Sequence, residues 1–278
     1  MSSRLLVLAA ALLFSTGGAV IKAISLTSWQ VASLRSLVAA IILLLILPES
    51  RRGWTVRTLM AAVAYAATLV TFAVATKLTT SANAIFLQST APIYLIVISP
   101  LFLHEKLRRS DLLQGAIVAA GMALFFLDPA AASHTAPEPG RGNLYAAASG
   151  LSWAITVAAL RGAAKSGSGS LAAVASGNLI ACFAALPAAW PFQAPTQLDW
   201  ALLLYLGAVQ IGLAYWCLAR GIREVPAFTA AMLLLLEPAI NPMWTWLLHG
   251  ETPSLYAIVG GAIILGATLL GQSGNKGR

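Results

Sequence analysis

One carboxylate stands where charge is expensive. The stretch from Pro226 to Glu251 reads PAFTAAMLLLLEPAINPMWTWLLHGE, long enough as a helix to cross a hydrocarbon core of about 30 Å. Glu237, Pro238 and Pro242 sit in its middle. Proline has no backbone donor and clashes with the carbonyl four residues earlier. Pro238 therefore frees the carbonyl of Leu234, and Pro242 that of Pro238. In lipid, freed carbonyls and an ionisable side chain persist only where protein or a water-filled cavity satisfies them. This helix is expected to face an internal cavity near mid-membrane. Glu237 would there bind a substrate ammonium or exchange protons; the structural alternative is a neutral Glu237 bonded to the freed carbonyls. An ionised acid at that depth costs on the order of 2.5–3.5 kcal/mol on insertion scales.

Other residues that could build such a site interrupt apolar runs elsewhere. Pro92 frees the carbonyl of Gln88, and Gln88, one turn earlier, is placed toward the cavity; Asn83 shares its run. Tyr65, Thr68 and Phe72 form a stripe at helical spacing, either cavity-facing or packing. Ser15, Thr16, Gly17 and Gly18 break the first run; the glycines suit close helix contact, and Thr16 fits either contact or pathway. Trp153, Thr156, Gln210, Tyr215 and Trp244 recur later. Aromatics near span ends usually form interfacial belts, but Trp153 falls near mid-span and Trp244 two turns past Glu237. An aromatic lining would supply stacking and cation–π partners. Arg35 is expected to snorkel outward, with contact to a substrate carboxylate as the alternative. Pro92, Pro238 and Pro242 are the candidate kink and gating positions.

The elements that position these residues follow from composition. The chain has 278 residues, 59% hydrophobic and 9% charged, with a mean hydropathy of +0.83. A soluble domain carries about a quarter charged residues. The net charge of +8 is scattered singly between apolar runs, which fits membrane topology and not a nucleic-acid face. Cys182 and Cys217 fall inside apolar runs, so neither a disulfide nor a metal site is expected. His104, His134 and His249 lie at loops or span ends without metal-ligand spacing. No phosphate-binding glycine loop is present, so ATP is not the expected driver. Enzyme chemistry and cofactors find no support. The N-terminal apolar run shows no clear cleavage site and reads as an uncleaved first span.

Hydropathy and punctuation divide the chain into ten spans, near 4–23, 28–48, 55–76, 80–103, 109–127, 142–162, 169–190, 198–218, 226–248 and 253–272. Taken alternately from the N-terminus, span ends on one side hold thirteen Lys and Arg, and those on the other hold Lys22, Lys77 and Arg141. That bias places both termini in the cytoplasm. A repeat is visible on overlay. A shift of 146 residues sets Pro92 on Pro238, Glu105 on Glu251, and Gly115–Ile117 on Gly261–Ile263; a shift of 139 sets Phe14 on Trp153 and Lys22 on Arg161. Each half holds five spans, so the second must enter the membrane inverted, as in many secondary transporters. Glu105 and Glu251 close equivalent spans and are expected to order their turns or cap the next helix. Gly115 with Ala119 and Ala262 with Gly266 are small-residue pairs for helix packing or a dimer face.

With Ala91-Pro92 and Glu237-Pro238, each followed by an acid in LFLHEKL and WLLHGETP, and with the small-residue helices QGAIVAAG and VGGAIILG, the chain resembles the drug/metabolite transporter superfamily, EamA-domain group. It is similar in look to the aromatic amino-acid exporter branch. The resemblance implies an all-α integral membrane protein with two five-helix inverted repeats, 1–128 and 142–272. An extracytoplasmic connection, 129–141, and a cytoplasmic tail, 273–278, complete it. It also implies a bacterial inner-membrane exporter of amino acids, aromatic and other neutral ones first, working by alternating access as a monomer or homodimer. The alternatives are broad efflux of cationic or aromatic drugs and, more remotely, a membrane-embedded enzyme or scaffold. The expected partners are a small-molecule substrate and the lipid bilayer.

Overall fold

The computed structural model describes residues 2–126, 135–165, 169–250 and 255–273. Glu251, His134 and residues 129–134 of the connection between the halves lie outside these residues. All regular structure within them is helical. The helices, with their interruptions included, are α1 (Ser3–Ala23), α2 (Ser28–Ile46), α3 (Val56–Leu78), α4 (Ser81–Leu103), α5 (Arg109–Phe126), α6 (Pro139–Lys165), α7 (Ser170–Ala185), α8 (Gln197–Gly221), α9 (Ala227–His249) and α10 (Leu255–Ser273). Among the described residues, seven of these (α1–α4, α6, α8 and α9) are long and apolar enough to cross a membrane. The seventh span expected from sequence, 169–190, is shorter in the structure. Its helix stops at Ala185, and Pro187, which cannot donate to the preceding turn, opens a 3-10 turn over Pro187–Ala189.

Helix starts are set by hydroxyl caps. Thr27 and Gln30 cap α2 reciprocally, as do Thr196 and Asp199 at α8, while Thr55 and Thr80 cap α3 and α4 from one side. Each cap meets donors that lipid could not.

The packing is reciprocal. α3 lies against α6 and α7, while α8 lies against α1 and α2. α4 packs on α6, and α9 packs on α1; α2 meets α7, α4 meets α9, and α5 meets α10. Each of these contacts between the first five helices and the last five thus has a counterpart with the halves exchanged.

Four helices are interrupted at mid-length. α1 breaks at Thr16, α4 at Ser89–Thr90 just before Pro92, and α9 at Leu235 just before Pro238. α8 widens into a π turn over Leu206–Leu213. Hydroxyls add bonds to backbone carbonyls at two of these sites, the α1 and α4 breaks. Ser89 Oγ donates to the Ile85 carbonyl at 2.6 Å and Thr90 Oγ1 to the Leu87 carbonyl at 2.8 Å. Ser15 Oγ and Thr16 Oγ1 do the same for Leu12 and Leu13. Gly150 of α6 seats against the α4 break; a methyl group there would stand 2.5 Å from both the Leu87 carbonyl oxygen and Thr90 Oγ1. Gly17 and Gly18 are likewise contact positions, facing Gln210 and the Ser81–Asn241 pair.

Gly150→Ala is therefore expected to push α6 off the α4 break and cost about 1–3 kcal/mol. Gly261→Ala, with nothing within 4 Å of the added carbon, should be neutral or slightly stabilising. Thermal melting of both variants in detergent checks this; equal melting points would remove Gly150 from the packing account.

Candidate functional site

The four interruptions converge. Phe14 stands just before the α1 break, Gln88 just before the α4 break, Gln210 inside the α8 π turn and Glu237 just after the α9 break, and all four border one cavity. Thr68, Leu69 and Phe72 of α3, Trp153 of α6, Ile211 and Tyr215 of α8 and Arg35 of α2 complete its wall. Its volume is about 40 Å³, room for a few water molecules and for no amino acid. A second void of about 10 Å³, bounded by Pro92, Ser89, Leu234 and Leu235 at the α4 and α9 breaks, shares Gln88, Trp153 and Glu237 with the first.

The aromatic wall centres on Tyr215. Its ring lies 4.9 Å from Phe14 and 6.2 Å, edge to face, from Trp153. Tyr65, fully buried behind it, packs at 4.6 Å with its ring tilted by 60° and receives a hydrogen bond from Asn178 Nδ2. Edge-to-face and tilted geometries of this kind are the favourable ones for aromatic pairs.

The polar groups are incompletely paired. Gln88 Nε2 donates to Ser149 Oγ at 2.8 Å. Gln210 Oε1 is buried without a hydrogen-bond partner. Glu237 is 8% exposed and makes no hydrogen bond among the described residues, so it does not satisfy the carbonyls its neighbouring prolines free. Arg35 corrects the sequence expectation of outward snorkelling. It is 1% exposed, donates through Nη2 to the Leu69 carbonyl at 2.6 Å, and has no partner at Nε. The α2 helix enters the bundle between α7 and the α8 π turn, which leaves the guanidinium no route to an interface.

Five other sequence candidates border neither void. Thr16 meets the Tyr205 hydroxyl at 3.0 Å, Tyr65 backs the wall, and Thr156 donates to the Ser152 carbonyl beside Thr68. Asn83 is buried in the first turn of α4, and Trp244 Nε1 donates to Ser15 Oγ at 3.1 Å, tying α9 to α1. Pro242 lies in the continuous part of α9. Sequence reasoning missed Phe14, Leu69 and Ile211, whose apolar types carry no signal of their own.

Both ends of the bundle are tied by charge. At one, Arg161 Nε meets Glu105 at 2.8 Å, Lys165 Nζ meets the same oxygen at 3.3 Å, and the Ala227 amide donates to the other oxygen at 3.0 Å. Arg161 Nη1 also donates to the carbonyls of Ile222 and Arg223. Glu105 thus caps α9 of the other half, not the helix that follows it; Asp111 does that by accepting from the Arg108 amide. Burial would raise the Glu105 carboxyl, but Arg161, the Ala227 amide and Lys165 outweigh it and hold it below the usual Glu value. At the opposite end, Asp199 accepts from Ser25 through amide and hydroxyl, Lys22 donates to the carbonyls of Thr79 and Thr135, and the His249 ring meets the Ala19 carbonyl.

Comparison with known proteins gives a consistent result. The profile of the EamA-like transporter family matches residues 1–127 and again residues 140–271. The pseudopaline exporter CntI of Pseudomonas aeruginosa, in strains UCBPP-PA14 and PAO1, is 28% identical over 286 aligned residues, covering 99% of this chain and 98% of the exporter. A solved crystal structure superposes with a TM-score of 0.74 at 19% identity over 99% of both chains, a likeness of fold.

Glu105 tests the tie at its end of the bundle. Its carboxyl titrates lower in the folded protein than in an unfolded chain, where Glu titrates near 4.3. Its stabilisation is therefore present above about pH 4–5 and lost as pH falls through the folded value. Glu105→Gln is expected to cost about 1–3 kcal/mol at pH 7, and its gap to wild type should close below pH 4. Melting curves from pH 3 to 8 check this; a gap independent of pH would assign the loss to packing.

Proposed function

The chain belongs to the EamA-like transporter family, and from that premise we propose that it is a secondary transporter exporting small metabolites, amino acids first, by alternating access. It is a multi-pass membrane protein of that family. One observation carries the reading: four interrupted helices, from both halves of the chain, each deliver a side chain to the same cavity at the interruption. Transporters place substrate at such interruptions because unwound backbone is tolerated there only against protein or water.

The proposed architecture is ten crossings in two inverted repeats, 1–128 and 142–272, joined by 129–141 and followed by the tail 273–278. The reciprocal packing supports it. So do Lys22 and Arg161, aligned in the repeat overlay. Lys22 bonds a carbonyl just beyond α3, and Arg161 bonds carbonyls just beyond α8, at opposite ends of the bundle. The Lys and Arg bias supports an orientation with both termini on the cytoplasmic side of a bacterial inner membrane. Export is the direction named for the Pseudomonas relative. The aromatic wall suits aromatic and other neutral amino acids.

A second reading has a specific observation behind it. An unpaired carboxylate beside Phe14, Trp153 and Tyr215 would also hold an organic cation, as a broad drug exporter requires.

The deciding experiment is uptake of labelled phenylalanine, threonine and a control sugar into proteoliposomes at two pH gradients, with wild type and Glu237→Gln. Amino-acid flux well above protein-free vesicles, with no sugar flux, is expected. Glu237→Gln should lower gradient-driven accumulation by about tenfold or more, equivalent to about 1.4 kcal/mol. Absent amino-acid flux with rapid movement of organic cations would overturn the first reading in favour of the second.

A further inference from the structure

We propose that the cavity selects zwitterions, with Arg35 on α2 taking the substrate's carboxylate and Glu237 on α9 taking its ammonium. This rests on the transport reading above and adds to it a chemical class and a residue with a role.

The inference starts from Arg35. A guanidinium carries five donors in a planar fork, and a buried charge is tolerated when it is paired and hydrogen-bonded. Arg35 is 1% exposed, and Nη2 reaches one backbone carbonyl while Nε reaches nothing. A structural arginine in lipid would be expected to meet an acid. The acid bordering the same cavity is Glu237, and no ion pair within 4.0 Å joins the two. Glu237 in turn has no hydrogen bond among the described residues. A guanidinium and a carboxyl group therefore border one space from different helices and stay apart.

Few ligands satisfy both. A carboxylate can take the Arg35 fork in two parallel bonds. An ammonium on the same molecule can meet Glu237 and also the buried, unpartnered Oε1 of Gln210. In a state whose cavity is widened beyond its 40 Å³, the remaining side chain would lie against Phe14, Trp153 and Tyr215. A simple cation would leave Arg35 unpaired and would sit near a like charge. A simple anion would leave Glu237 in the same position. A site built to bond a polar group rejects the analogue that lacks it far more strongly than an apolar pocket rejects a missing methylene.

Three probes that share a benzyl group separate the possibilities: phenylalanine carries both charges, phenethylamine the cation, and 3-phenylpropionate the anion. In proteoliposomes, initial phenylalanine flux is expected to exceed that of either analogue by about a hundredfold. Arg35→Gln should collapse the phenylalanine-to-phenethylamine ratio, through loss of phenylalanine flux and a rise in phenethylamine flux as the repelling charge disappears. Arg35→Lys, which keeps the charge but not the fork, should fall between. Thermal stabilisation of detergent-purified protein by each probe gives a second readout, in which phenylalanine protects wild type and not Arg35→Gln.

Phenethylamine flux equal to that of phenylalanine in wild type would overturn the zwitterion inference while leaving transport intact. A folded Arg35→Gln protein that slows all probes alike would also overturn it, by assigning Arg35 a structural role. Should Arg35→Gln fail to fold, the wild-type ratio and Arg35→Lys decide. Flux of none of the three probes would bring down the amino-acid reading itself, and this inference with it.

Discussion

Lipid cannot hydrogen-bond a peptide group, and this constraint fixes where the polar chemistry of the chain can lie. A helix satisfies its own backbone only while it is continuous. At Thr16, Ser89–Thr90, Leu235 and the Leu206–Leu213 π turn that continuity fails. The structure compensates in two ways: hydroxyls of Ser15, Thr16, Ser89 and Thr90 bond the carbonyls nearby, and every interruption faces inward. The cavity is thus a consequence of the interruptions. Once Pro92 and Pro238 break α4 and α9, the groups they release must gather around shared space away from lipid.

That space also determines what a charge in it can do. Arg35 and Glu237 would each be costly in hydrocarbon, and each is poorly compensated by the protein around it. The space they border is only about 40 Å³, room for a few water molecules to screen either one. Any ligand that reaches the cavity acts at low dielectric, where correctly placed charges count for much and misplaced ones are strongly rejected. The aromatic rings add shape. Phe14, Trp153 and Tyr215 hold one another at tilted and edge-to-face angles, which fixes the wall against which a side chain would lie.

The sequence exposed the breaks better than the wall. Glu237-Pro238 and Gln88 ahead of Pro92 are readable because proline and a mid-span acid have unavoidable consequences in lipid, whatever the tertiary fold. Hydropathy likewise fixes where apolar runs begin and end. Helix rotation is another matter. Tyr65, Thr68 and Phe72 share a stripe, yet Thr68 and Phe72 border the cavity while Tyr65 lies behind it. Thr156 and Trp244 are polar or aromatic in the right spans, but they spend their donors on Ser152 and Ser15. Phe14 and Ile211 are invisible because an apolar residue in an apolar span says nothing about which way it faces. Arg35 did carry a signal. Alone among the seventeen Lys and Arg, it lies inside a span and not at an end, and Ser33 and Ser36 beside it are also buried. Snorkelling is a rule for residues that can reach an interface, and the packing of α2 decides that they cannot.

The proposed alternating access would add a demand that neither the breaks nor the cavity meets alone: the two ends of the bundle must be of similar strength. If one end were much the stronger, the other would do all the opening and the site would never change sides. The structure ties both ends with a few charge-assisted bonds, each contributing about 1.5–3 kcal/mol. One end uses Glu105 with Arg161 and Lys165, and the other uses Asp199 with Ser25 and Lys22 with two carbonyls. Among the described residues, one end shows a carboxylate–guanidinium pair and the other shows carboxylate–hydroxyl and ammonium–carbonyl bonds. Yet Lys22 and Arg161 occupy matching places in the repeat overlay and bond matching stretches of backbone. The proposed duplication of a five-helix unit in inverted orientation would supply such a balance from the start, because each end would inherit its tie from the same ancestral contact. A ligand that bridges Arg35 and Glu237 would then need to change the strength of the ties only slightly to let either end part.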